Sequence, residues 1–276
     1  SLLLTNPATD PNFDVSAKGG FQLDRVKQFY TFEPGTSIDG HLDADMRIRG
    51  KKSYVDQEKY DAIQSSGTVV VKDFIFKTPE YQDGFLLKNA VLNLAPKDIE
   101  ISNANGSFMQ TSFNGSGKIH NAIGYALKDE PLSGTMNLKA GKVDLNKWMG
   151  TTPAGTKTSQ AATKPFEVPG NIRFNISTDI DEVVYDNVSY KDVKGGLTIA
   201  NETVSLDNLT MQALDGGINL NGSYSTRLNK AKPAISLAFQ LSNLDVQKTF
   251  NAFNTVKFLM PIGEFITGKL SSGLTV

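Results

Sequence analysis

Apolar and polar residues alternate with a period of two along most of the chain. In residues 42–49, Leu, Ala, Met and Ile alternate with acidic and basic side chains, and similar alternation returns in residues 172–177, 218–221 and 235–242. This pattern is typical of antiparallel strands that have one apolar face and one face in water. Such runs predict about fourteen strands, joined by turns of Gly, Asn, Asp and Pro.

The predicted fold class is mainly β: a long curled antiparallel sheet built from degenerate repeats, groove-like or sandwich-like, with a few short helices. Open sheets of more than about ten strands normally curl, split or close. A sandwich, a barrel and a strongly curved groove therefore all remain open. The clearest predicted helix spans residues 53–65, where a thin apolar stripe indicates a position on the surface.

One short phrase occurs three times, in residues 23–29, 143–149 and 244–250. Each copy predicts the end of a strand, an Asp, and a short amphipathic helix. An Asp carboxylate in this position can accept hydrogen bonds from the unpaired N–H groups of the first helical turn. We therefore expect a structural role, as helix N-caps, for Asp24, Asp144 and Asp245.

Other segments match one another in the same order along the chain. Residues 101–104 correspond to 206–209, and residues 113–117 correspond to 220–224. The second pair contains Asn-Gly, a common turn signal. The ordered matches predict a repeat architecture.

Residues 151–165 separate two parts of similar plan. They are rich in Thr, Ala, Gly, Lys and Pro and nearly devoid of apolar residues, which predicts a mobile loop. We expect a first β-repeat half over 1–150, a flexible linker over 151–165, and a second β-repeat half over 166–276 that is truncated at its C-terminus. We expect the chain to be an excised part of a longer repeat protein.

Composition narrows the classes of function. The 276 residues carry a net charge of −1, which argues against a nucleic-acid groove and against a polybasic membrane patch. The absence of Cys excludes disulfides, thiolate metal sites and a Cys nucleophile.

No catalytic motif of a nucleotide-binding loop, a zinc protease or a Ser hydrolase is present. The two histidines, His41 and His120, fit ordinary strand positions better than a metal site. The acidic run 179–182 lacks the Gly and the final Glu of a helix–loop–helix calcium site. The sequence therefore predicts no enzyme activity, no metal and no cofactor.

Several phrases, taken in order, resemble the C-terminal region of AsmA-like proteins. They are residues 19–30, 38–40, 58–63, 66–74, 124–130 and 132–134. The resemblance covers most of the chain through degenerate β-repeat phrases.

The resemblance implies an envelope protein whose β-rich body forms a long groove with an apolar inner face. AsmA-like proteins are linked to outer-membrane assembly and to phospholipid movement between membranes. We accordingly expect a periplasmic location, an inner-membrane anchor through an N-terminal helix absent from this chain, and membrane contact through parts outside it. The expected partners are phospholipid or another acyl-chain lipid and other envelope proteins, but not nucleic acid.

Three functions compete for this pattern. The first is a non-enzymatic apolar groove that binds or conducts lipid. The second is a cell-surface adhesin or carbohydrate-binding β-sandwich, in which sheet-on-sheet packing covers the apolar faces. The third and least favoured is a glycosidase with paired carboxylates.

The lipid hypothesis assigns the alternating apolar residues to one concave face that contacts either acyl chains or core. Burying one methylene contributes about 0.8 kcal/mol, so a sixteen-carbon chain gains on the order of 12 kcal/mol before costs. The predicted lining residues are Leu42, Met46, Ile48, Ile172, Phe174, Ile176, Ile218, Leu220, Ile235, Leu237 and Phe239.

Overall fold

The structure is a computed structural model that describes residues 1–28, 31–57, 59, 62–79, 83–95, 98–122, 124–125, 130–148, 165, 167–259 and 261–275. Within these residues, fourteen strands form a sheet whose order follows the chain from β1 to β14. Antiparallel pairs join β1 through β7 and β10 through β14. The predicted mainly-β fold with about fourteen strands and few short helices is confirmed.

The strands range from four residues in β1 to fifteen in β3. The first eight are β1 (Leu2–Thr5), β2 (Asn12–Gln22), β3 (Ser37–Lys51), β4 (Gln64–Lys77), β5 (Phe85–Leu94), β6 (Asp98–Phe108), β7 (Thr111–His120) and β8 (Leu132–Asp144). The others are β9 (Ile172–Tyr185), β10 (Val188–Ala200), β11 (Thr203–Ala213), β12 (Gly216–Ser225), β13 (Ala234–Asp245) and β14 (Lys269–Thr275).

The helices of the described residues are short. They include the α-helices Lys52–Asp56, Leu145–Trp148, Val246–Ala252 and Asn254–Leu259 and the 3₁₀ helices Leu23–Gln28 and Pro261–Phe265.

The chain divides into two compact units. The first unit contains residues 1–137 and 171–174, and the second contains residues 138–170 and 175–276. The predicted boundary at residue 150 thus falls within the second unit. Residues 151–164 of the predicted linker lie outside the described residues.

The helix predicted over residues 53–65 is shorter in the structure. Its described part is Lys52–Asp56, and β4 already begins at Gln64. Gln64 and Ser65 pair with Arg49 and Ile48 of β3. Strand pairing therefore determines the conformation at the end of this segment and overrides its local helical pattern.

Each unit has its own hydrophobic cluster. In the first unit, Val71, Ala90 and Ala104 are buried, and larger side chains of β3 to β6 pack against them. In the second unit, the buried residues are Val188, Val193, Leu209, Met211, Ala213, Ile218 and Leu244.

In five strands, an Asp or Asn adopts the left-handed backbone conformation. One apolar residue directly follows it, and a second apolar residue lies two positions before it. Strict alternation would place two apolar residues three positions apart on opposite faces. In each of the five cases, both apolar residues instead belong to the same hydrophobic cluster. The segments are 71–74, 101–104, 190–193, 206–209 and 241–244, with φ of 47° at Asp73, 56° at Asn103, 53° at Asp192, 49° at Asn208 and 57° at Asn243.

These residues act as β-bulges that restore the alternation. The pairing register shifts at all five of these places, in β4, β6, β10, β11 and β13. A bulge inserts one extra residue, bends the strand and increases its twist. Asp and Asn occur there because they tolerate φ above zero better than other residues with a side chain.

A series at Asn243 tests this role. Asn243→Val should lower the free energy of unfolding by about 1–2 kcal/mol because a β-branched residue is strained in the left-handed region. Asn243→Gly should be nearly neutral, since the backbone N–H that donates to Ser271 Oγ is kept. The measurement is urea unfolding followed by circular dichroism.

Ser242→Val is the matched control, because Ser242 is an exposed neighbour in the same strand that does not have a positive φ. It should change stability by less than about 0.5 kcal/mol. Equal stabilities of Asn243→Val and Asn243→Gly would contradict the role proposed for the left-handed residue.

Candidate functional site

The first unit carries one apolar face that continues from strand to strand. Leu42 of β3 lies opposite Val71 of β4, which lies opposite Ala90 of β5. Leu92 of β5 lies opposite Ile101 of β6. We call this surface the first apolar face; its members include Val15, Leu42, Ala44, Met46, Ile48, Val69, Val71, Phe74, Phe85, Leu87, Ala90, Leu92, Ile101, Ala104 and Phe113.

Burial on this face depends on the size of the side chain. Ala44, Val71, Ala90 and Ala104 are buried, and Ala90 is only 2% exposed. All of the Leu, Ile, Met and Phe members named above are partly exposed. The large side chains thus cover the small ones and the strand backbone from the sides, whereas their own outer surfaces remain in contact with solvent. In a core between two packed sheets, the large side chains would be buried as well.

A depression crosses β4 to β7 beside an aromatic cluster. Its volume is about 430 Å³, and its apolar lining includes Phe74, Leu87 and Phe113. The Phe113 ring lies over Gly106, where any Cβ would come within 2.8 Å of the ring and 2.1 Å of a backbone oxygen. Phe113 also stacks on Phe85 with 5.6 Å between ring centroids. Gly106 therefore makes room for the ring.

Asp and Asn side chains and one lysine stand beside this apolar lining. Asp73, Lys88, Asn105 and Asn114 also line the depression. Asp73 is the left-handed residue of β4, and Asn105 follows the register shift of β6. The polar groups and the bends of the strands therefore occur together.

The opposite side of β2 to β4 carries charged residues in pairs. Arg47 Nε donates to Asp14 Oδ1 at 2.6 Å, and Lys18 Nζ donates to Asp45 Oδ2 at 2.7 Å. Lys72 Nζ donates to Asp43 Oδ2 at 2.7 Å. Such exposed pairs contribute little to stability, but they keep this side of the sheet in water.

These pairs lower the pKa of the carboxyl groups that accept the hydrogen bonds. The hydrogen bond from Arg47 lowers the pKa of Asp14 below its usual value, and the charge of Arg49 acts in the same direction. The hydrogen bonds from Lys72 and His41 likewise lower the pKa of Asp43.

The predicted lining residues are divided between the units. Leu42, Met46, Ile48, Ile172 and Phe174 belong to the first unit, and Ile176, Ile218, Leu220, Ile235, Leu237 and Phe239 belong to the second.

Within the second unit their surroundings differ. Ile218 is buried in the hydrophobic cluster, with Leu220 and Phe239 packed against it. Ile235 is 63% exposed, and Leu237 is partly exposed on the same strand. In the first unit, Phe174 is buried and its ring lies close to Gly134.

Two of the three repeated Asp residues accept hydrogen bonds at the start of a helix. Asp245 Oδ1 accepts from the Lys248 N–H at 2.9 Å, as an N-cap. Asp144 Oδ1 accepts from the N–H groups of Asn146 and Lys147 at 3.1 and 3.3 Å. Asp24 lies within the first turn of the 3₁₀ helix Leu23–Gln28, one residue after its start.

The second and third copies of the phrase also connect their helix to a hairpin turn. The Asn146 side chain donates to the Asp186 carbonyl at 3.2 Å and accepts from the Asp186 N–H at 2.9 Å. In the third copy, the Asp245 N–H donates to the Leu214 carbonyl at 2.8 Å, and Lys248 Nζ donates to Asp215 Oδ2 at 2.6 Å. In these two copies, the repeated phrase therefore holds its helix against a hairpin turn at the end of the sheet. The residue pattern alone did not reveal this role.

The other candidate residues have ordinary partners. His41 Nε2 is 2.9 Å from Asp43, and His120 Nδ1 is 2.5 Å from Asp98. In the described part of the chain, no group of three or more His, Cys, Asp or Glu could hold a metal ion. Among the residues that the structure describes, no helix is long and apolar enough to cross a membrane.

Comparison with known proteins finds no counterpart: no family model, no curated protein and no solved structure matches the chain.

Removing the cap at Asp245 should destabilise the second unit. Asp245→Ala should lower the free energy of unfolding by about 0.5–2 kcal/mol, because the Lys248 N–H loses its acceptor. Asp245→Asn, which keeps an acceptor oxygen, should lose less. Chemical denaturation measures both; equal losses for Ala and Asn would argue against a capping role.

Acid should weaken the pair of Asp14 and Arg47. The folded-state pKa of Asp14 lies below its ordinary value of 3.8, so its contribution to stability is complete above that value and is lost as pH falls through the folded pKa. Asp14→Asn should therefore show a shallower loss of stability than the wild type below pH 3.8. Parallel curves of unfolding free energy against pH would refute this assignment.

Proposed function

We propose that the chain is a non-enzymatic lipid-binding part of a periplasmic envelope protein of AsmA type, and that acyl chains lie on the first apolar face. The observation that carries the proposal is the partial exposure of nearly every large apolar side chain on this face. The resemblance of the ordered sequence phrases to AsmA-like proteins supports the envelope assignment.

An acyl chain would complete the burial that the protein leaves unfinished. Apolar surface removed from water contributes about 25 cal/mol per Å². Association itself costs about 4–15 kcal/mol. A gross gain on the order of 12 kcal/mol from a sixteen-carbon chain therefore leaves between roughly no net gain and about 8 kcal/mol. Binding would thus be weak to moderate and reversible, as movement of lipid along the face requires.

The lining favours acyl chains over a specific polar ligand. It consists of Leu, Ile, Val, Met, Phe and Ala from successive strands, so neighbouring positions present similar chemistry. The charged pairs occupy the other side of β2 to β4. A lipid headgroup would then remain at the water boundary while its chain follows the apolar side chains.

The carbohydrate-binding sandwich is less consistent with these observations. Its apolar faces would be used up in packing one sheet on another, which leaves large inward side chains buried. In the first unit, only the small members of the face are buried. A lipid face needs this incomplete burial, whereas a sandwich core does not produce it.

Leu92→Asp tests the proposal. Leu92 is partly exposed and packs against the buried Val71, Ala90 and Ala104, so the new carboxylate can still reach water and the chain should remain folded. Displacement of a fluorescent fatty acid should become at least about tenfold weaker, because the charge lies in the path of the acyl chain.

Val91→Asp is the matched control. Val91 is the next residue of the same strand, faces the other side and pairs with Val70 and Ser102. It should leave fatty-acid binding unchanged. An unfolded Leu92→Asp with a folded Val91→Asp would indicate a covered core, and a wild type that binds no fatty acid would remove the proposed function from this chain.

A further inference from the structure

The second unit displays large apolar side chains on a segment that is firmly held in place. Phe258 is 84% exposed and Phe265 is 80% exposed, and Ile262 and Ile266 are also exposed. All four lie between residues 258 and 266, in the helices Asn254–Leu259 and Pro261–Phe265 or directly after them. We call these four residues the exposed apolar cluster.

The position of this segment is fixed by the residues that precede it in the chain. Val246 and Phe250 of the preceding helix are buried, and Phe253 packs against the hydrophobic cluster of the second unit. The Gln247 side-chain amide lies within hydrogen-bonding distance of the carbonyls of Gly263 and Ile266, at 3.0 and 2.6 Å. The fold thus buries one set of apolar side chains and leaves the exposed apolar cluster pointing outward.

The charge of the segment differs from that of the whole chain. Residues 246–275 contain Lys248, Lys257 and Lys269 but only one acidic residue, Glu264, whereas the full chain has a net charge of −1. Lys248 is already paired with Asp215, and Lys269 Nζ contacts the Asp215 carbonyl at 3.4 Å. Lys257, in the helix that carries Phe258, is partly exposed.

We propose that the exposed apolar cluster inserts into the headgroup region of a lipid bilayer that contains anionic lipid, with Lys257 interacting with the headgroups. Side chains that are four-fifths exposed project from the surface rather than line a groove, which suits insertion between lipid headgroups. Short amphipathic segments with Phe and Leu on one side and Lys nearby bind membrane interfaces in this way. This inference does not rest on the first apolar face, since its observations all concern the second unit.

The test uses the full chain and vesicles of phosphatidylcholine and phosphatidylglycerol in equal parts, separated by flotation. The wild type should float with the vesicles. The double variant Phe258→Ser with Phe265→Ser should bind at least about tenfold more weakly, because each Phe loses the gain from leaving water. Both side chains are exposed, so thermal melting should be unchanged.

Leu228→Ser is the matched control. Leu228 is 92% exposed and lies in the connection between β12 and β13, at the end of β13 away from the helices. Its replacement removes an exposed apolar side chain of the same unit and should leave vesicle binding unchanged.

Lys257→Gln separates the electrostatic part. It should weaken binding to the mixed vesicles by about fivefold and leave any binding to phosphatidylcholine alone unchanged. The double variant should displace the fluorescent fatty acid as the wild type does, so loss of the first apolar face and loss of the exposed apolar cluster give different results.

Three flotation results would overturn the proposal: no flotation of the wild type, equal flotation of the wild type and the double variant, or equal losses in the double variant and Leu228→Ser. Sedimentation velocity tests the competing occupant, a second copy of the chain. A wild-type dimer that the double variant dissociates would assign the cluster to self-association instead of the membrane.

Discussion

A strand presents one apolar face only as long as apolar and polar residues alternate along it without interruption. Strands of this chain reach fifteen residues in β3, and five of the longer strands contain a point at which the apolar pattern changes phase. At each such point an Asp or Asn with positive φ inserts one residue, and the apolar side chains on both sides of it remain in one cluster. The continuity of both hydrophobic clusters depends on this local backbone conformation.

In the first unit, lateral packing within the sheet buries the small side chains of the first apolar face and leaves the large ones partly exposed. The small residues Ala90 and Ala104 lie close to the strand backbone and are covered by neighbours such as Leu92 and Phe74. Burial therefore comes from adjacent strands within one layer. The backbone hydrogen bonds of the ladder and the lateral apolar contacts stabilise the sheet together, and the outer surfaces of the large side chains stay accessible.

The period of two made the strands and the antiparallel class predictable from the sequence. The matched segments 101–104 and 206–209 were also visible, but their meaning was not: both contain the left-handed Asn of a bulge. Conversely, Asn114-Gly115 and Asn221-Gly222 carry a turn signal and lie inside β7 and β12. Strand pairing on both sides outweighs a two-residue preference there.

Other features depend on contacts that no local pattern records. Two hairpin turns use Met109-Gln110 and Leu214-Asp215, all with positive φ, although only Asp215 is of the Gly, Asn or Asp type expected there. The Leu214 carbonyl accepts from Asp245, a residue far along the chain. The exposure of individual side chains was not predictable from the alternation either. Ile235 and Ile218 occupy equivalent apolar positions in it, but Ile218 is buried and Ile235 is exposed. The bulges share a four-residue pattern from which they could have been recognised. An apolar residue comes first, any residue follows, Asp or Asn is third, and a second apolar residue is fourth.

The strand order that simply follows the chain has a consequence for folding and for evolution. Within each unit, neighbouring strands are also neighbours in sequence, so most loops that close on folding are short and the entropy lost in closing them is small. Stability in such a chain approaches a sum of terms between adjacent hairpins. A gene could therefore gain or lose a whole hairpin. Because a hairpin contains two strands, the direction of every later strand and the face to which each later side chain points would stay the same. The sheet could thus become longer or shorter without changes in the remaining strands.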